Sequence, residues 1–378
     1  MTSRFRNSVK QNVCVELLQA GFHRSFSELF TLLRSDQDRR AAAEPGSPLS
    51  LRGSSLGEQP DKLEAMRLHL GRAEHAERTG SWSVVCDQFL LLARFFSMPE
   101  DLWIGLYFYH SCADRERGGQ SRAATEARAC LAEMYLQQDD LQLARQQAEM
   151  CVQQAEESGW KDSAGRPLNL RASGLLWKIY SRLADPLLAA GDHSQALTLL
   201  HSGYKLTTDS GDKEMEEEAA FQLGLAYQSA GDHDSAKQFF NICMDICRTL
   251  EDTDGLLKAY KATAKSLESQ GNVDETVRCL QTLVDISRSS GLEHKVADTY
   301  LCLGSVYYTM NDYVRAGEYF LQGYHVACEV REVALLERAQ VMAASARARG
   351  LIEKYGDVES APPADLQHLL ETVDSASD

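Results

Sequence analysis

The sequence predicts an all-α protein, a right-handed α-solenoid of stacked helix pairs with a roughly 40-residue period. Three observations carry this. Only eight prolines interrupt 378 residues. Apolar residues recur at helical spacing, with no sustained period-2 run of β-branched residues. Three segments also repeat at one interval: LGLAYQSAGDHDSAKQFF from Leu223, TAKSLESQGNVDETVRCL from Thr263 and LGSVYYTMNDYVRAGEYF from Leu303. Their small residues Gly224, Ala264 and Gly304 stand 40 apart, and counting back 40 reaches Ala184. A further copy, with Ala132 in the same role, lies 52 residues before Ala184, so a 12-residue insertion containing WKDSAGRPLNL intervenes.

Along the chain, residues 1–43 read as an N-terminal helical segment, with one or two amphipathic helices over Val9–Leu33. Residues 44–60, EPGSPLSLRGSSLGEQP, concentrate Pro, Gly and Ser and read as a flexible linker. Residues 61–119 form a divergent helical repeat region, with Ala73, Gly80, Val85 and Phe89 at repeat positions and an extra helix over Glu100–Arg117. The repeat array itself occupies 120–355. Its copies share a design: a small residue (Ala132, Ala184, Gly224, Ala264, Gly304) admits a neighbouring helix, and a large one three later fills the gap. A Gly or Asn then ends the first helix, and the second helix presents Ala196, Ala236, Thr276 or Ala316. A final helix over Glu332–Tyr355 continues the register at Ala344 and caps the array. Residues 356–378 are an acidic tail.

Composition excludes several functions. Acidic residues outnumber basic ones 55 to 39, a net charge of −16 that opposes adhesion to nucleic acid or anionic membrane surfaces. No apolar stretch approaches the roughly 20 residues of a membrane span. The ten cysteines include no C-x-x-C, and the opening MTSRFRNSVKQN lacks an apolar secretory core, so the thiols are expected to be reduced and cytosolic. Nucleotide, hydrolase and metalloprotease motifs are absent, and no catalytic, cofactor-binding or metal residue is assigned. Cys243 and Cys247, one turn apart, read as core; EMEEE at 214–218 reads as the solvated start of a helix. Trp160, inside the insertion, either anchors an interface or folds back over the repeats.

The order L-G-x-x-Y, polar turn, small residue, then an aromatic or leucine resembles the tetratricopeptide repeat. FRNSVKQNVCVELLQAGFHRSFSELFTLL (Phe5–Leu33), GEQPDKLE (Gly57–Glu64), WKDSAGRPLNL (Trp160–Leu170) and EEEAAFQLGLAYQSAGDHDSA (Glu216–Ala236) are similar to a more particular group, an axonemal tetratricopeptide-repeat family of sperm flagella and motile cilia. The resemblance implies tetratricopeptide-like helix pairs and a noncatalytic scaffold supporting flagellum assembly and beating. Its implied partners are axonemal dynein or intraflagellar transport components, and its implied place is the cytoplasm, cytoskeleton and axoneme. Direct binding to bare microtubules is not expected of so acidic a chain. The alternative is a cytosolic cargo or chaperone adaptor unrelated to cilia. In tetratricopeptide arrays the groove is lined by first-helix positions six and three residues before the small residue and one after it. This places Lys258, Lys261 and Lys265 in a partner-binding groove, with Arg338 added by the capping helix.

Overall fold

The repeat interval reappears as helix boundaries. The structure, a computed structural model, describes residues 8–42, 54–115, 121–156 and 158–355. Among these residues run α1 (Val9–Gln19), α2 (His23–Ala42), α3 (Pro60–Arg78), α4 (Trp82–Phe95), α5 (Leu102–Asp114), α6 (Arg122–Gln137), α7 (Leu141–Glu156), α8 (Leu168–Ala189) and α9 (His193–Ser210). They continue with α10 (Lys213–Ser229), α11 (His233–Leu250), α12 (Thr253–Ser269), α13 (Val273–Ser289), α14 (Glu293–Thr309), α15 (Tyr313–Val330) and α16 (Val333–Tyr355). Helices α10, α12 and α14 begin 40 residues apart, as do α11, α13 and α15. No β-strand occurs among the described residues, so the protein is all-α. The chain divides into two units, one of Met1–Pro186 with Leu199–Asp212, the other of Leu187–Thr198 with Lys213–Asp378.

In the first unit a continuous apolar core joins Val13 and Leu17 of α1, Leu29 and Leu32 of α2, Leu63 and Met66 of α3, Phe89 of α4 and Phe108 of α5. The expected linker is not wholly a linker. Residues 43–53 lie outside the described residues, but Leu56 starts a short 3₁₀ turn and is only 2 % exposed in this core. Buried Asp36 is the physical reason: its Oδ2 accepts from the Leu56 N–H at 2.9 Å and from Arg40 at 3.0 Å, and Arg40 also donates to the Ser54 carbonyl. The acidic tail 356–378, residues 116–119 of the divergent region and residue 120 are likewise outside the described residues.

The insertion between α7 and α8 is pinned by charge. Asp162 accepts from the Ala164 and Arg166 N–H groups, each at 2.9 Å, which folds the loop on itself, and an antiparallel backbone bridge pairs Lys161 with Pro167. Next to it, Glu126 of α6 is 1 % exposed and accepts from Arg122, Arg94 and both the N–H and hydroxyl of Ser163. Arg171 of α8 pairs with Glu133 at 2.7 Å and lies 3.6 Å from Asp162. Burying so many charges is tolerable because each carboxylate meets several donors. Trp160, at the mouth of this loop, is half-buried.

The turns explain the Gly-Asp and Asn-Asp signature. Gly231, Gly271 and Asn311 have φ of 83°, 73° and 64°, the left-handed conformation that closes a helix. The residue after each caps the next helix: Asp232, Asn272 and Asp312 accept from the N–H groups of Ser235, Glu275 and Arg315. At the alternate turns the left-handed residues are Gly211, Glu251, Gly291 and Arg331, so two copies place a side chain where glycine is the unstrained choice.

The small-residue positions work by volume compensation. A Cβ on Gly224 would lie closer than 3 Å to two atoms of the Phe240 ring, and one on Gly304 likewise meets Phe320. Sixteen residues beyond Ala264 and Ala184 the sequence instead carries the smaller Leu280 and Leu200, both buried. In these four copies glycine is thus matched with phenylalanine and alanine with leucine, as constant packing density requires, while the copy at Ala132 carries only Ala148 at that place.

Gly304→Leu should destabilise the protein by about 1–3 kcal/mol or more, since the ring of Phe320 has no space to yield. Gly317→Ala, where an added Cβ meets nothing within 4 Å, should instead stabilise by about 0.5–1 kcal/mol. Denaturant midpoints of the two variants against the parent check both signs.

Candidate partner-binding face

Helix α12 forms because its apolar residues Leu257, Ala264 and Leu267 fall on one side, against α11, α13 and α14, which leaves a polar stripe outward. Lys258, Lys261 and Lys265 occupy that stripe, and all three are exposed. Arg338 is exposed on α16. The structure brings two of the four together. Asp298 of α14 lies between them, its Oδ2 at 2.5 Å from Lys261 Nζ and its Oδ1 at 3.2 Å from Arg338 Nη1. Lys258 and Lys265 have no ion pair among the described residues.

Asp298 was not singled out from the sequence, although the register points to it. It stands six residues before Gly304, the place that Lys258 holds relative to Ala264 and Arg338 relative to Ala344. Equivalent positions on α10 carry exposed Glu218 and half-buried Phe221 and Leu225. The face therefore changes from acidic and apolar on α10 to basic on α12, then to a neutralised cluster on α14 and α16.

Electrostatics around Asp298 are a contest of burial and pairing. Burial disfavours its charge, but the hydrogen bond and attraction from Lys261, reinforced by Arg338, hold the carboxyl below its ordinary range. Burial likewise works against the Lys261 ammonium, and Asp298 overcomes it, so its pKa is raised.

The glutamate run on α10 is less solvated than its sequence suggests. Glu216 is buried and pairs with Lys213 at 2.6 Å, and Glu217 is half-buried against α11, while Glu214 and Glu218 are exposed. Opposite Glu217 stand Cys243 and Cys247 with their sulfurs 3.8 Å apart, and Cys243 Sγ is 3.9 Å from Glu217 Oε1. Burial pushes the Cys243 thiol up to about 11, Cys279 also to about 11 and Cys151 to about 12. Such thiols are protonated at neutral pH and are poor nucleophiles. Leu250, the last residue of α11, is exposed.

The tetratricopeptide repeat family model matches residues 217–249, the α10–α11 pair. Tetratricopeptide repeat protein 29 of Macaca fascicularis is 33 % identical over 380 residues, covering 99 % of this chain and 79 % of that protein. The Homo sapiens protein of the same name is 32 % identical over 375 residues, covering 98 % and 79 %. Among solved structures, a signal transduction ATPase with a tetratricopeptide repeat sensor from Pyrococcus horikoshii aligns at 14 % identity with a TM-score of 0.44, over 77 % of this chain and 42 % of that one.

Asp298→Asn should cost about 0.5–1 kcal/mol at neutral pH by releasing both cations. Because the folded carboxyl titrates below its unfolded value, its contribution is present above the ordinary aspartate pKa of about 4 and is lost as pH falls through the lower folded value. Thermal unfolding across the acid range should show the gap between parent and variant closing there. A constant gap would contradict the pairing.

Proposed function

The chain belongs to the tetratricopeptide repeat protein 29 family, and from that premise we propose that it is a noncatalytic scaffold of the ciliary and flagellar axoneme, supporting flagellum assembly and beating. The coarser part needs no proposal: this is a repeat-built protein-interaction scaffold, and tetratricopeptide repeat proteins are generally noncatalytic. The single observation that carries the family reading is identity sustained over nearly the whole chain. The axonemal setting is what the similarity of the stretches at Phe5–Leu33 and Trp160–Leu170 implies.

The partners on this reading are axonemal dynein or intraflagellar transport components, and the site of action is the cytoplasm and cytoskeleton of the cilium. An acidic segment of such a partner would seat on Lys258 and Lys265, whose ammonium groups are not spent on internal pairs, with Lys261 and Arg338 beside them. A net charge of −16 favours attachment through another protein over direct contact with the acidic microtubule surface.

Removal of the protein from a flagellated cell should leave division intact and impair beating or assembly; unchanged beating in the null cell would contradict the axonemal role. Lys258→Glu with Lys265→Glu should keep stability within about 0.5 kcal/mol, both sites being exposed. The same double variant should weaken capture of a dynein or transport component, with the difference shrinking as salt rises. Undiminished capture at low salt would remove these lysines from the binding face.

A further inference from the structure

Helices α10, α11 and α12 bring together four groups that a packed scaffold does not require. Glu217 comes from α10, Cys243 and Cys247 from successive turns of α11, and Asp252 from the N-cap of α12. The ligand atoms of Glu217, Cys243 and Cys247 all lie within 4.8 Å of one another. Asp252 borders the same space. Its Oδ1 accepts from the Asp254 N–H at 3.1 Å, which leaves Oδ2 available. Gly255 keeps the space open: a Cβ there would lie closer than 3 Å to Glu217 Oε1, Asp252 Oδ2 and Cys247 Sγ alike.

We propose that Glu217, Cys243, Cys247 and Asp252 bind a zinc ion tetrahedrally and so tie α10, α11 and α12 together. The dimensions fit. Zinc–sulfur bonds of about 2.3 Å meeting at the tetrahedral angle set the two sulfurs about 3.8 Å apart, and a zinc–oxygen bond of about 2.0 Å sets sulfur and oxygen about 3.5 Å apart. The sulfurs here are 3.8 Å apart, and Cys243 Sγ is 3.9 Å from Glu217 Oε1. Two soft sulfur donors favour zinc over magnesium or calcium, whose sites are built from oxygen alone. A disulfide fits less well, because residues four apart on a helix hold their Cβ atoms about 5–6 Å apart, beyond the roughly 4 Å that a disulfide bridges. On binding, each thiol releases its proton to solvent and the ion takes both sulfur lone pairs, with no change of oxidation state.

This inference is independent of the axonemal reading and is tested on the full chain, reduced and stripped of metal with a chelator. Titration with cobalt(II), then zinc(II), should give the intense visible bands of tetrahedral cobalt with near-ultraviolet thiolate charge transfer. About one equivalent of zinc should then bleach them. Cys243→Ser with Cys247→Ser should abolish the spectrum, while Cys279→Ser with Cys302→Ser should leave it intact. Since the first pair alters buried positions, Glu217→Gln, nearly isosteric, provides a second arm: helicity should be unchanged and cobalt affinity about tenfold weaker or more. The site is overturned by a pale octahedral spectrum, by thiolate bands that survive in the Cys243/Cys247 variant, or by undiminished affinity in Glu217→Gln.

Discussion

The contact on which the repeats depend is the seating of one large side chain against one small residue of the preceding helix. Gly224 with Phe240 and Gly304 with Phe320 are its tightest forms. A helix axis can come this close only where the Cβ is missing, and the ring then fills what the glycine leaves. Helix pairing, turn position and the outward stripe of α12 all follow, because fixing the inward face of a helix at a known residue fixes every other residue by its angle from it. The lysines are outward since Ala264 and Leu267 are inward.

That dependence explains which parts were legible in the sequence. The small residues, the left-handed Gly or Asn and the capping Asp or Asn act within a single hairpin, so they leave a local mark that recurs every 40 residues. The turns inside the α10–α11, α12–α13 and α14–α15 pairs were readable for this reason, while those between pairs, at Glu251 and Gly291, were not. Leu56 was not, because its fate rests on Asp36, a buried carboxylate twenty residues away with no repeat counterpart. The same holds for Glu126, whose partners come from α4, from its own helix and from the inserted loop. Asp298 is intermediate: its position was legible from the register, but its pairing required knowing that α12, α14 and α16 offer their charges to one another.

Charge on the candidate face is thus partly structural. Lys261, Asp298 and Arg338 form a chain of opposite signs across three first helices, which lowers the net field there and links neighbouring repeats. Lys258 and Lys265 retain theirs. A face that both holds repeats together and presents charge must divide its residues between the two tasks, and the division falls along the register: the position three before the small residue is used internally on α12, while those six before and one after remain outward.

The loop pinned by Asp162 bears on how such chains change length. Its ends meet at Lys161 and Pro167, and its polar groups are satisfied by its own backbone and by Glu126. Entry and exit of the chain are therefore spatially fixed, and lengthening a closed loop costs entropy only logarithmically. Chain entropy is thus not what limits additions at the exposed tip, Ser163–Gly165: they would displace the Ser163 groups that donate to buried Glu126 and the Ala164 N–H that donates to Asp162, whereas one residue added within α8 would rotate its inward face away from the core. Growth of the insertion is therefore limited by the buried carboxylates it serves, and any grafted sequence must keep the Ser163 and Ala164 donors in place.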